Sequence, residues 1–319
     1  MKEKIRTIFM GTPDLAIIGL QSLLDDKNFD VISVITQADK KAGRDLKILK
    51  SPVKLLAEKY DLIIKQPDKL KDILPFITEI KPDLIVVIAY GKILPKTILD
   101  IPRYNCINVH ASLLPKYRGS ACVSAPLLNG DKISGISIMK MDENMDTGPI
   151  IEQIKIDLDP NETSLTLSNK IKEAIKKNLI TILINYIDSP KSIEQENNLA
   201  TYVKMIKKED GHIDFKNDLA NMVERKIRAY TPWPGTFAFI TKDNLSKNKL
   251  LFKIIKSEQE IIEDKQHQAG ELFLNNNKLV LKCSDAGLVL KEIQLAGKKA
   301  MTTEEVLKGN SWTIGKILE

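Results

Sequence analysis

The first hundred residues repeat one pattern: a short, almost wholly apolar run, a polar break, a stretch with helical spacing, and another apolar run. Residues 5–10 and 31–36 are two such runs, and Leu15, Ile18, Gly19 and Leu23 lie at helical spacing between them. A run that is apolar on both faces suits a strand covered on both sides, the condition of a parallel sheet between helices. Strand, helix and strand in this order make a right-handed crossover unit. Pro13 suits the first turn of the intervening helix, and Ser51-Pro52 reads as the N-cap and first position of another. Further runs at 61–65, 84–89 (LIVVIA) and 106–110, with helical patterning over 70–80, extend the sheet. The fold class is therefore α/β with an open, mostly parallel sheet, whose ligands belong at the carboxyl ends of the strands. Ala89-Tyr90-Gly91 lies just past one such end. Gly11 stands alone, without a G-x-G-x-x-G pattern, so neither a nicotinamide nor a flavin cofactor is expected.

The run at 106–110 differs from the others. It reads Cys-Ile-Asn-Val-His and continues into Ala-Ser-Leu-Leu-Pro. Side chains two apart on a strand project to the same side, so Asn108 and His110 share a face. Residues 133–141 alternate as another strand, and the Asp-, Asn- and Gly-rich loop after it carries Asp146, which could meet the same pocket. An imidazole exchanges a proton near neutral pH, and a neighbouring carboxylate favours its charged form. An Asn amide donates to an oxyanion without changing its own charge. The nucleophile elbow G-x-S-x-G is absent, so direct attack of an amine on a carbonyl fits better than a covalent intermediate. The bland alternatives are a structural histidine and a turn-forming aspartate.

A helical stretch at 164–186 should pack back on the sheet. Residues 189–198 (SPKSIEQENN) are polar and read as a linker. Beyond residue 211 come a short helical stretch at 219–229, the sequence Thr-Pro-Trp-Pro-Gly at 231–235, and short β-like runs at 236–240, 250–255, 278–282 and 287–295, which suggest a small barrel. A length of 319 residues favours two domains.

Three scattered cysteines and three isolated histidines offer neither a disulfide framework nor a metal cluster, so no metal is expected. No run approaches a membrane span and no cleavable leader is evident, so the expectation is a cytoplasmic protein with no membrane partner, and a monomer. The net charge of +6 permits an anionic partner. Much of that excess lies in residues 37–54, where Lys40, Lys41, Arg44, Lys47, Lys50 and Lys54 face Asp39 and Asp45 for a net +4. That segment reads either as a solvated loop or as an arm that touches phosphates beside the site. Residues 205–319 carry a further net +3.

Asn108, His110 and Asp146, set in NVHASLLPKYRG and MDENMDTGPI, resemble the signature of the folate-dependent formyltransferases. FMGTPDLA at 9–16, TQADKKAGR at 36–44, SPVK at 51–54, VIAYGKILP at 87–95, AYTPWPG at 229–235 and LAGKKAM at 295–301 extend the resemblance over essentially the whole chain. The resemblance implies a Rossmann-like catalytic domain at 1–187, a linker at 188–208 and a small OB-like β-barrel at 209–319 that binds tRNA. It implies transfer of the formyl group of 10-formyltetrahydrofolate to the α-amine of methionyl-initiator tRNA, in translation initiation. Asn108, His110 and Asp146 would be catalytic, Ser112, Leu113, Leu114 and Pro115 would seat the folate, and Lys40, Lys41, Arg44 and Lys47 would meet the tRNA. The alternatives are a folate-dependent formyltransferase acting on glycinamide ribonucleotide or an amino sugar nucleotide, and a nucleic-acid-binding protein with an inactive enzyme fold. The chain departs from the family pattern at Ser120–Ser124, where SACVS replaces A-A-P-I-Q, and in the arm at Ala38 and Asp45.

Overall fold

A computed structural model describes residues 3–42, 47–242 and 249–319. The chain divides into two compact units, one of residues 1–122, 133–157 and 168–204, the other of residues 123–132, 158–167 and 205–319.

The first unit begins with β1 (Ile5–Gly11), α1 (Asp14–Asp25) and β2 (Phe29–Ile35). A hairpin of β3 (Lys40–Ala42) and β4 (Lys47–Leu49) precedes α2 (Pro52–Lys59) and β5 (Ile64–Lys65). Then come α3 (Leu74–Ile80), β6 (Leu84–Ile88), α4 (Lys96–Leu99), β7 (Cys106–His110) and β8 (Arg118–Gly119). After α5 (Ala125–Asn129) of the second unit, β9 (Ile133–Lys140) and β10 (Ile150–Asp157) complete the sheet, followed by α6 (Ser164–Asp188) and β11 (Tyr202–Val203). Among the described residues the sheet has seven strands in the order β10-β9-β7-β6-β1-β2-β5. The pairs from β7 to β5 are parallel, whereas β9 and β10 run antiparallel. The sheet is thus the expected mostly parallel one, with an antiparallel edge.

The local reasons are visible in the sequence. Every residue of β6 is buried, as its apolar run requires. Ser51 accepts from the Lys54 amide at 3.1 Å with Pro52 in the first turn, which caps α2 as its sequence predicts. Gly11 has no substitute, because a Cβ there would lie 2.8 Å from the Ala16 Cβ and 2.9 Å from the Ile88 oxygen. The chain adds β1, β2 and β5 toward one side, then returns to place β6 and β7 on the other. The crevice for a ligand therefore opens between β1 and β6, at their carboxyl ends.

In the second unit, α7 (Ala220–Ala229) is followed by β12 (Thr236–Thr241), β13 (Lys249–Ile262), β14 (Leu272–Asn275), β15 (Lys278–Lys282), β16 (Gly287–Leu295), β17 (Met301–Thr302) and α8 (Thr303–Gly309). The sheet is antiparallel, ordered β12-β13-β16-β15-β14, with β17 on β16. Its apolar side packs on Val223 and Ile227 of α7, which are fully or almost fully buried. Residues 315–319 bond to both outer strands. Phe239 of β12 exchanges hydrogen bonds with Glu319 at 2.8 and 2.9 Å, and Leu272 of β14 donates to the Lys316 oxygen at 2.9 Å. Leu318 is buried between them at 2% exposure. Leu318→Ala should destabilise this unit by about 2–5 kcal/mol. Urea titration, followed on the unfolding transition of the second unit, measures the effect.

Candidate active site

β7 carries Asn108 and His110 to the carboxyl edge of the sheet, between the parallel neighbour β6 and the antiparallel neighbour β9. The pairing Val87↔Asn108↔Met139 fixes Asn108 in the middle of three strands. Its carboxamide is half-buried and, among the described residues, engages no other group. His110 is 6% exposed. Its Nε2 lies 2.9 Å from the Tyr117 carbonyl, so that nitrogen carries a proton and donates. Nδ1 faces Asp146, with 3.6 Å to Oδ1. That separation holds an ion pair but exceeds a hydrogen bond, so a proton on Nδ1 can still be offered to a substrate oxygen.

Both ring nitrogens therefore face acceptors, which favours the imidazolium. Burial works against the charged ring. The Cys122 sulfur beside it, the Asp146 carboxylate and the Tyr117 carbonyl outweigh burial and push the pKa from 6.5 up to about 9. The raised pKa favours the charged ring, which can donate and stabilise negative charge.

Asp146 stands in the loop after β9 with φ +56°, a backbone region that few L-residues adopt. This turns its carboxylate inward, where Oδ2 accepts from the Gly119 amide at 2.8 Å. Gly119, at φ +112°, cannot carry a side chain, since a Cβ would lie 2.2 Å from the Val203 oxygen. Asp142 stabilises the same loop by accepting from Thr147 Oγ1 at 2.7 Å and from the Asn144 amide at 3.2 Å.

The turn 112–115 lies next to this pair, and its polar groups are already engaged. Ser112 Oγ donates to the Lys116 oxygen at 2.7 Å, and the Leu114 amide donates to Ser137 Oγ at 3.0 Å. Gln153 Nε2 donates to the Leu114 oxygen at 2.9 Å. Ser112 and Leu114 are buried, while Leu113 and Pro115 are half-buried. The turn presents shape and apolar surface rather than a free hydroxyl. At the end of β6, Gln37 Nε2 donates to the Tyr90 oxygen at 2.8 Å, which ties the β2 edge to the β6 edge of the crevice.

Asn108, His110 and Asp146 thus come together from β7 and the loop after β9. Of the four basic arm residues, Arg44 lies outside the described residues, as do the side chains of Lys40, Lys41 and Lys47. At the base of the hairpin, Lys54 pairs with Asp39 at 2.6 Å and Lys50 with Glu58 at 2.9 Å. The Lys54 and Gln66 bonds hold the Asp39 carboxyl below its ordinary range. Sequence reasoning missed Tyr117, Cys122 and the contribution of residues 195–203. These were expected as a linker, yet they are hydrogen-bonded into the first unit, with Tyr202 paired to Arg118 and Val203 to Gly119. Among the described residues no group of three or more His, Cys, Asp or Glu is arranged to hold a metal ion, and no helix is long and apolar enough to cross a membrane.

The family model for formyl transferase matches residues 4–183 and that for the formyl transferase C-terminal domain matches residues 205–311. The chain belongs to this family. Within it, the methionyl-tRNA formyltransferase of Caldicellulosiruptor saccharolyticus is 40% identical over 98% of this chain and 99% of its own. That of Caldanaerobacter subterraneus subsp. tengcongensis is 38% identical over 99% and 100%. Among solved structures, HypX from Aquifex aeolicus in complex with tetrahydrofolic acid superposes with a TM-score of 0.62 at 14% identity, covering 97% of this chain and 48% of that one. An N-formyltransferase from Helicobacter canadensis, in complex with folinic acid and dTDP-3-aminofucose, gives 0.61 at 22% identity, covering 90% and 98%.

Because the folded pKa of His110 is raised, the ring's contribution to stability is full below about 6.5 and is lost as pH rises through about 9. NMR titration of the His110 ring should give a midpoint near 9, and Asp146→Asn should lower it.

Proposed function

We propose that this chain transfers the formyl group of 10-formyltetrahydrofolate to the α-amine of methionyl-initiator tRNA, in the cytoplasm. The observation that carries this reading is the buried His110–Asp146 pair beside Asn108, in a chain that matches methionyl-tRNA formyltransferases along nearly its full length. The reaction forms a bond from the amine nitrogen to the formyl carbon and breaks the bond from that carbon to N10 of the folate. The proton lost by the amine ends on N10.

Asn108 and His110, on one face of β7, are the donors for the oxygen of the tetrahedral intermediate, with His110 offering its Nδ1 proton. Asp146, with the Cys122 sulfur and the Tyr117 carbonyl, favours the charged form of His110 and is the carboxylate that carries the amine proton. The turn 112–115, with its polar groups already engaged, gives the pterin side of the crevice a fixed, mostly apolar wall. A free α-amine has a reference pKa of about 7.7–8.0, so alignment and oxyanion stabilisation are the main tasks, the latter worth about 2.7–4 kcal/mol per donor. The basic arm, with Lys40, Lys41, Arg44 and Lys47, is the surface that meets the acceptor end of the tRNA. The second unit is the larger tRNA-binding body. The bonds of residues 315–319 to both β12 and β14 support reading its sheet as an OB-like barrel closed by that segment.

The test supplies labelled 10-formyltetrahydrofolate with charged initiator tRNA, uncharged tRNA, glycinamide ribonucleotide and an amino sugar nucleotide. Label on the methionyl-tRNA supports the reading, and label on a small-molecule acceptor alone refutes it. Asn108→Ala or His110→Ala should lower turnover by about a hundredfold or more with modest loss of tRNA binding. Neutralising Lys40, Lys41 and Arg44 together should weaken tRNA use and flatten its dependence on salt. An unchanged salt slope would reduce the arm to a solvated loop.

A further inference from the structure

Arg118 is 1% exposed, and among the described residues none of its partners is a carboxylate. Its guanidinium is held by neutral oxygens: Nε and Nη2 donate to Gln195 Oε1 at 3.2 and 2.9 Å, Nη2 to Asn197 Oδ1 at 2.8 Å, and Nη1 to the Tyr202 hydroxyl at 2.9 Å. Gln195, itself 8% exposed, faces the other way with its amide nitrogen, donating to the Asp146 oxygen at 2.9 Å and the Gly148 oxygen at 2.7 Å. The orientation of this amide is forced. A guanidinium offers only donors and the two loop carbonyls only acceptors, so Oε1 must face Arg118 and Nε2 must face the loop.

The same strand of chain also holds the other half of the catalytic pair. Thr201 Oγ1 accepts from the Tyr117 amide at 2.8 Å, and the Thr201 oxygen accepts from the Arg118 amide at 2.9 Å. Tyr117, at φ +62°, is the residue whose carbonyl takes the His110 Nε2 proton. One face of the segment 195–202 thus fixes the partner of Nε2, and the other fixes the backbone that carries the partner of Nδ1. An aspartate at φ +56° would relax away from that conformation without an outside anchor.

We propose that Gln195, oriented by the buried Arg118, is a positioning residue that clamps the Asp146 loop and sets the distance between the Asp146 carboxylate and His110. This rests on the formyl-transfer reading for its kinetic consequence but not for its structural one. Neither residue touches the reacting atoms. Gln195 acts through two loop carbonyls, and Arg118 acts through Gln195.

Two variants separate the clamp from a general loss of packing. Gln195→Leu removes both sets of bonds. Gln195→Glu keeps an acceptor for Arg118, and so a partner for the buried charge, but has no N–H for the loop carbonyls. Both should lower kcat about tenfold or more while the KM for 10-formyltetrahydrofolate stays within about twofold, the mark of a misplaced catalytic group rather than a lost binding contact. In Gln195→Leu the His110 titration midpoint should fall from near 9 toward 6.5 as the carboxylate drifts away, whereas in Gln195→Glu the added anion offsets part of that fall. With three histidines in the chain, loss of one signal in His110→Asn assigns the resonance. Wild-type kcat in a folded Gln195→Glu would overturn the proposal, as would an unmoved midpoint in a folded Gln195→Leu. The titration needs no substrate, so a wild-type protein that fails to formylate methionyl-tRNA would count against the functional reading and leave the clamp to be judged by the midpoint.

Discussion

A buried imidazole held between two acceptors in a mostly parallel sheet organises the first unit. His110 belongs to a strand whose neighbours are almost wholly apolar, and its ring is 6% exposed. In such a place an imidazole would ordinarily be neutral, because the charged form loses most from leaving water. Here the Cys122 sulfur beside the ring, the Asp146 carboxylate on one nitrogen and the Tyr117 carbonyl on the other reverse the balance. The two partners come from different segments, Asp146 from the loop after β9 and Tyr117 from the turn after β7. The charge is therefore stable only while both segments keep their shape. Three left-handed or permissive backbone positions, at Tyr117, Gly119 and Asp146, cluster within this arrangement. Such conformations persist when surrounding contacts over-determine them, as the hydrogen bonds from Thr201, Gln195 and the Gly119 amide do here.

The fold divides the labour between rigid and adjustable parts. Asn108 and His110 sit on a strand hydrogen-bonded on both sides, so their separation is fixed by the period of the strand. Asp146 sits on a loop, where its position depends on side-chain bonds. A site that must place an oxyanion between donors gains from the first kind of support, since misplacement by an ångström costs rate steeply. The carboxylate, 3.6 Å from the ring, depends on the bonds that Gln195 makes to its loop to stay there.

Much of this was legible in the sequence. The run at 106–110 appears as β7 with the expected bounds, and the runs at 278–282 and 287–295 appear as β15 and β16. These segments are buried, so tertiary packing and local pattern agree. The pattern failed where strands are short or one-sided. The β3–β4 hairpin has three residues on each side and a basic composition, which reads as loop. β10, at the sheet edge, exposes much of its surface, and its sequence IIEQIKID carries too weak an apolar pattern to stand out beside the turn-rich loop before it. The run at 61–65 shortened to two paired residues, with Asp61 at φ +51° turning the chain just before them. Asn108 and His110 were found because a strand puts alternate residues on one face. Gln195 was not found, because polarity in a Pro-, Ser- and Asn-containing stretch is the ordinary mark of a linker. Its function lies in contacts 49 and 77 positions away in the chain.

That stretch also falls between the two family models, which end at residue 183 and resume at residue 205. Its backbone nevertheless belongs with the first unit, through Ile193 on Ile150 and Tyr202 on Arg118. A tether that served only to join two bodies would have no reason to surround a guanidinium with Gln195, Asn197 and Tyr202. Burying a cation without a carboxylate is unfavourable unless several dipoles converge on it, and convergence demands fixed geometry. The guanidinium therefore makes residues 195–202 rigid, and rigidity there is what the Asp146 loop lacks by itself. Pairing Arg118 with a carboxylate would have held the charge as well. It would also have placed a second anion near His110 and left Asp146 less decisive for its charge.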